Sequence, residues 1–163
     1  MGPTELLASP PDADRRSIAT QSRVADLAFT GPAGAPAVRA ATNVALLAGA
    51  ALVAGSGLIH LYLWADGYRH IATIGPLFLA QGIVGLVLAV LLVAYPRVGV
   101  AAAAAGYLLA TLAAFTVSAA VGLFGFQDTL DAPWAANALL VETAGLACLV
   151  VGVVLPLRAR RGS

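Results

Sequence analysis

Hydrophobic residues along this chain form four long apolar runs that are separated by short polar breaks. Each run meets or exceeds the roughly 20 residues that a helix needs to cross the hydrocarbon core of a bilayer. Backbone amides inside a bilayer must be satisfied within the segment, which favours helices. The pattern therefore predicts an all-α fold, a polytopic membrane four-helix bundle. The predicted runs are 40–64, 71–94, 98–124 and 135–157.

The breaks between the runs contain charged residues, glycine and proline. Asp131 is placed to cap the fourth helix, with Pro133 tolerated in its first turn. Pro76 has two interpretations, because it either starts the second helix or kinks a helix that begins near Ile71.

The region before the first run is polar and interrupted by proline and glycine, which predicts a disordered N-terminal tail. A short amphipathic helix over 17–29 is the alternative for part of it. The tail lacks the apolar core of a secretory signal, so the first run is expected to be an uncleaved membrane anchor. The predicted organisation is a flexible cytoplasmic tail at 1–36, a transmembrane domain at 37–158 and a basic cytoplasmic tail at 159–163.

Composition supports a membrane protein. Of 163 residues, 60% are hydrophobic and 10% are charged, and the mean hydropathy is +0.90, whereas soluble domains carry about 25% charged residues. The basic residues are all arginines and form no stripe on a predicted helix, so no nucleic-acid partner is expected. Cys148 is the single cysteine, which excludes an intrachain disulfide. The expected partners are the lipid bilayer and either other membrane subunits or further copies of the chain.

Arginine distribution predicts the orientation. With four spans, both termini lie on one side, together with the break at 95–97. That side holds eight of the nine arginines, and the other side holds Arg69 alone. The arginine-rich side is therefore expected to face the cytoplasm of a bacterial plasma membrane. Four aromatic residues near the opposite ends of the helices fit an interfacial belt: Tyr62, Trp64, Tyr68 and Trp134.

Small and polar residues recur at helical spacing in each run, which predicts the faces that pack against other helices. The predicted packing positions are Gly49, Val53, Ser56 or Gly57, and His60 in the first run; Gln81, Gly85 and Ala89 in the second; Tyr107, Thr111, Ala114, Ser118 and Gly122 in the third; and Ala138, Glu142, Gly145, Leu149 and Gly152 in the fourth.

Glu142 is the most informative polar residue, because a carboxyl group inside a membrane helix costs several kcal/mol unless it is paired, protonated or hydrated. It lies about seven residues into the fourth run, at a depth similar to that of His60 in the first. We expect Glu142 to contact His60, with Gln81 nearby, as a polar cluster inside the bundle. This cluster could be a site, or it could be a hydrogen bond that joins helices.

Metal or haem binding is a second interpretation of the same region. It would use His60, His70 and Glu142 as ligands on the outer side of the membrane. A cofactor is not required by the pattern, and the absence of one is favoured over haem or metal. Arg69 could pair with Asp66, Asp128 or Asp131 in the same region.

Three sequence segments carry a resemblance to known proteins: HLYLW at 60–64, GYRHI at 67–71 and IGPLFL at 74–79. Over the first two runs and their connection, the chain resembles small four-helix membrane proteins of GC-rich bacteria. The resemblance implies the fold and the bacterial origin, and it supplies no catalytic residue.

Three function classes follow. No phosphate-binding glycine loop or hydrolase motif is present in the sequence, so a non-enzymatic role is favoured. The first class is an accessory subunit or a small-ligand binder. The second is a redox or metal protein that uses His60, His70 and Glu142. The third is a proton-coupled transporter or channel built on Glu142.

Overall fold

A computed structural model describes residues 36–161 of the chain, and these form an all-α four-helix bundle. Each helix is long and apolar enough to cross a membrane, which confirms the predicted fold class. A short 3₁₀ turn, Tyr68–His70, lies between the first two helices. The predicted tail lies outside the described residues except for Pro36, where the first helix begins. The helices are α1 (Pro36–Asp66), α2 (Ile74–Ala94), α3 (Val98–Val121) and α4 (Ala135–Arg161).

Several helix ends differ from the prediction. Helix α2 begins at Ile74, so Pro76 lies in its first turn and starts the helix. Helix α3 ends at Val121 because Gly122, with φ 81°, leaves the helical conformation. Helix α4 continues to Arg161 with Pro156 inside it, so the predicted basic tail is helical over residues 159–161.

The predicted cap of α4 is wrong. The helix begins at Ala135, and Trp134 precedes it with a left-handed φ of 66°. Asp131 lies four positions before the helix and is exposed, and Pro133 lies in the turn before it. Backbone bonds close this turn instead: the Ala135 amide donates to Ala132 at 3.1 Å.

Helix α1 is the central element of the bundle, since it packs along both α2 and α4. Helix α4 also packs against α3, while α2 and α3 meet less extensively. The two connections at 67–73 and 122–134 lie at one end, which we call the aromatic end. The start of α1, the connection at 95–97 and the end of α4 lie at the other, which we call the arginine end.

Glycines allow the helices to approach closely, as the sequence pattern predicted. A Cβ on Gly57 of α1 would lie 2.9 Å from the carbonyl oxygen of Gly82 in α2. Between α1 and α4, Cβ atoms on Gly49 and Gly152 would lie 2.7 and 2.6 Å from Leu149 and Leu46. Bulky aliphatic side chains on the opposite helix faces are exposed, as expected of a surface that contacts lipid.

The aromatic end differs from the rest of the bundle in its backbone. All three non-glycine residues with left-handed φ among the described residues lie there: Thr73, Phe124 and Trp134. Such conformations cost about 1–3 kcal/mol each and persist where surrounding contacts hold them. Trp134 also packs against Tyr62, with ring centroids 5.6 Å apart, and both are exposed.

Candidate functional site

A cavity of about 80 Å³ lies inside the bundle at the aromatic end. A space of this size can hold more than one water molecule or a small organic molecule. All four helices and both connections at this end contribute to its wall, and most of the wall is apolar. Its side chains with polar groups are His60, Tyr68, Gln81, Thr111, Ser118, Asp128 and Glu142.

Glu142 contributes a buried carboxyl group to the cavity wall. It lies seven residues into α4, or roughly 10 Å along the helix axis, and its side chain is only 1% exposed. The Ser56 hydroxyl of α1 donates to Glu142 Oε1 at 2.9 Å. No hydrogen bond to the second oxygen, Oε2, is present among the described residues. One carboxyl oxygen is therefore fixed by α1, and the other remains available to the cavity.

His60 also bonds to Ser56, one helical turn earlier in α1. Its Nδ1 lies 2.8 Å from the Ser56 carbonyl oxygen. Because a carbonyl only accepts, Nδ1 must carry the proton and donate it. In neutral His60, Nε2 is then an acceptor. No hydrogen bond joins His60 to Glu142 among the described residues, and Ser56 bonds to both.

Gln81 lines the same cavity, and its side-chain amide bonds to helix α3. Gln81 Nε2 donates to the Thr111 hydroxyl, which donates in turn to the Tyr107 carbonyl at 2.9 Å. The Tyr107 hydroxyl donates to the Gln81 carbonyl at 3.1 Å. This network joins α2 to α3.

Aromatic rings form a continuous wall between α1 and the two connections. Phe78 lies between His60 and Tyr68, with ring centroids 5.0 and 4.6 Å away. Tyr68 also meets Phe126 edge-on at 5.6 Å. Tyr68 is half-buried and lines the cavity. Burial, followed by the nearby charge of Asp128, raises the pKa of the Tyr68 hydroxyl.

Ser118 holds the connection between α3 and α4 over the cavity. Its hydroxyl donates to the Phe126 carbonyl at 3.1 Å and accepts from the Asp128 amide at 3.1 Å. Backbone bonds between Leu123 and Phe126 close the turn within this connection. These contacts place the Phe126 ring and the Asp128 side chain in the cavity wall.

His70 lies away from this cluster. It is exposed and accepts a hydrogen bond at its Nε2 from Arg69 Nε at 3.0 Å. Residues 36–161 contain no group of three or more His, Cys, Asp or Glu side chains that could share a metal ion. The three-ligand site of His60, His70 and Glu142 is therefore not formed. The Arg69 guanidinium contacts His70 rather than the aspartates predicted as its partners.

Sequence reasoning missed several members of the site. Ser56 was assigned only to a packing face, although its position four residues before His60 was a usable signal. Tyr68, Phe126 and Asp128 lie in connections or beside them, where helical periodicity gives no information about direction.

Comparison of the chain with known protein families, curated proteins and solved structures found no match. The four apolar helices identify the chain as a multi-pass membrane protein of the all-α class.

Proposed function

We propose that this protein is a non-enzymatic membrane protein that binds a small molecule in the cavity at the aromatic end. The observation that carries the proposal is an internal cavity whose wall combines apolar surface with the buried carboxyl group of Glu142. Concave, mostly apolar spaces with a few convergent polar groups are typical of ligand sites. A purely structural accessory role gives no reason for such a space.

The hydrogen bonds of the cavity support binding over catalysis. Ser56 is the serine nearest to both His60 and Glu142, but its side chain is fully buried. His60 bonds to the Ser56 carbonyl rather than to its hydroxyl, so the imidazole does not activate the hydroxyl as a base would in a hydrolase.

We further propose that the protein lies in the plasma membrane with both termini in the cytoplasm. The arginine distribution supports this orientation: Arg39, Arg97, Arg158 and Arg161 lie at or near the arginine end of the bundle. In that orientation the cavity lies near the outer surface, and a ligand would reach it from outside the cell.

A cavity-filling experiment tests the proposed function. Purified protein in detergent is screened by ligand-observed NMR against a library of small molecules with neutral, cationic and anionic head groups. Ala114 lines the cavity, and the added side chain of Ala114→Leu should fill part of it. We expect molecules that bind the wild type and lose most of their signal with this variant.

Ala110→Leu is the matched control. Ala110 lies one turn earlier in α3 and is exposed, so the same substitution adds the same volume outside the cavity. Ala138→Leu repeats the test from α4 in case Ala114→Leu does not fold. Absence of any binding molecule, or equal binding to the cavity-filled and control variants, would contradict the proposal.

A further inference from the structure

The free polar atoms of the cavity are mainly hydrogen-bond acceptors. Glu142 Oε2, which is an acceptor when the carboxyl group is ionised, and Nε2 of neutral His60 have no hydrogen-bond partner among the described residues. Asp128 adds a second carboxylate in the connection between α3 and α4, and its Oδ1 accepts from the Thr129 amide at 2.9 Å. Gln81 has a side-chain oxygen that accepts no bond from a described residue. A ligand would therefore meet several acceptors, two of them on carboxyl groups.

The donors of the cavity, in contrast, are mostly used within the protein. The hydroxyl groups of Ser56, Thr111 and Ser118 donate to Glu142 and to backbone carbonyls. His60 Nδ1 donates to Ser56. The remaining donors are the second amide hydrogen of Gln81 and the Tyr68 hydroxyl, both neutral.

The charged residues and the aromatic rings of the cavity wall both favour a cationic ligand. No arginine among residues 36–161 lines the cavity, while two acidic residues do. Phe78, Phe115 and Phe126 supply aromatic surface in its wall. Aromatic faces attract organic cations within about 6 Å of the ring centroid, whereas a small inorganic cation would need more oxygen ligands than the wall provides.

From this arrangement we infer that the ligand is a small organic cation, a protonated amine on a short apolar chain. The ammonium group donates to Glu142 Oε2 and to His60 Nε2, and the chain packs against the aromatic wall. This inference rests on the proposed ligand-binding function and names the chemical class of the ligand. Glu142, held by Ser56, is the residue that selects for positive charge.

Three probes with the same carbon chain and different head groups test the inference: n-propylammonium, 1-propanol and propionate. Affinities for the wild-type protein are measured by ligand-observed NMR in amine-free buffer at neutral pH. We expect n-propylammonium to bind about tenfold or more tightly than 1-propanol, because a charge-assisted hydrogen bond replaces a neutral one. Propionate should bind more weakly than both, since its charge repels the two acidic residues.

Variants then identify the residues that make n-propylammonium bind more tightly than 1-propanol. Glu142→Gln keeps an oxygen for the Ser56 hydroxyl and removes the charge, so it should weaken n-propylammonium about tenfold and change 1-propanol little. Asp131→Asn is the matched control: it removes an exposed carboxylate at the same end that does not line the cavity, and it should leave both affinities unchanged. Phe78→Leu should weaken the binding of n-propylammonium about threefold, because it removes one aromatic face from the cavity wall.

The outcomes separate this inference from the proposed function. If 1-propanol binds the wild type as tightly as n-propylammonium does, and Ala114→Leu blocks it, the cavity binds ligands but the amine inference is wrong. Stronger binding of propionate would overturn the inference in the same way. If no probe and no molecule of the library binds, the proposed function itself fails. The wild-type comparison requires no variant to fold.

Discussion

The contact between Gly57 of α1 and the backbone of α2 offers a demanding test of the packing. A Cβ at position 57 would lie 2.9 Å from the Gly82 carbonyl oxygen and 3.2 Å from the Leu86 amide nitrogen. Both neighbours are backbone atoms, so no rotamer change can relieve the contact. Gly57→Ala must therefore separate the two helices by a few tenths of an ångström or more.

The expected change in the free energy of unfolding of Gly57→Ala follows from two opposing effects. Overpacking a well-fitted interface typically costs about 1–3 kcal/mol, and separation also weakens neighbouring van der Waals contacts. Replacing glycine by alanine within a helix contributes about 1 kcal/mol in the other direction. We therefore expect Gly57→Ala to lower the free energy of unfolding by up to about 2 kcal/mol.

Gly106→Ala is the control, because position 106 lies within α3 and an added Cβ there meets no atom within 4 Å. This variant should leave stability unchanged or raise it by up to about 1 kcal/mol. Both variants are compared by reversible unfolding of the purified protein in mixed detergent micelles. Equal stabilities for Gly57→Ala and Gly106→Ala would refute the close approach of α1 and α2.

Three further predictions concern other parts of the molecule. Thr42→Val should raise the unfolding temperature, because the Thr42 hydroxyl is buried without a partner among the described residues and its removal keeps the shape; a lower temperature in a thermal scan would contradict this. Asp128→Asn should lower the pKa of Tyr68, since the carboxylate disfavours the phenolate. The pKa of Tyr68 is measured by ultraviolet titration, with Tyr68→Phe used to identify the signal of this residue. An unchanged pKa in Asp128→Asn would show that the Asp128 charge has no effect on Tyr68. For topology, in a background where Cys148 is replaced by alanine, an impermeant thiol reagent on intact cells should label Asp128→Cys but not Ser163→Cys; the reverse pattern would invert the orientation.

The fold was predictable because its main determinant is local. An apolar run of 20 or more residues has few alternatives to a membrane helix, and the residues with small side chains mark which face packs. Gly49, Gly145 and Gly152 are buried against α1, α3 or α4 side chains as expected. The ends of the helices were less predictable, because residues such as Trp134 take backbone conformations that contacts elsewhere impose.

The sequence indicated which polar residues lie near one another, but not which hydrogen bonds they form. His60, Gln81 and Glu142 were expected together, and all three line one cavity. Their partners depend on the rotation and the relative height of each helix, and a shift of one turn, about 5.4 Å, is enough to exchange Ser56 for His60 beside Glu142. The position of His70 was not predictable either, because it depends on a connection between helices rather than on helical spacing. Membership of the group of small membrane proteins of GC-rich bacteria stays a prediction.

The bonding of Glu142 bears on whether the cluster only joins helices. A side chain that served solely as a link between α1 and α4 would need one hydrogen bond, which serine, threonine or glutamine supplies without a charge. A carboxyl group adds a cost of several kcal/mol at this depth, and its single bond to Ser56 offsets only part of that cost. The second oxygen faces a space whose other free polar groups are also mainly acceptors. A cationic donor in that space would pair with Glu142 Oε2 and His60 Nε2, which supports the proposed binding site over a structural link.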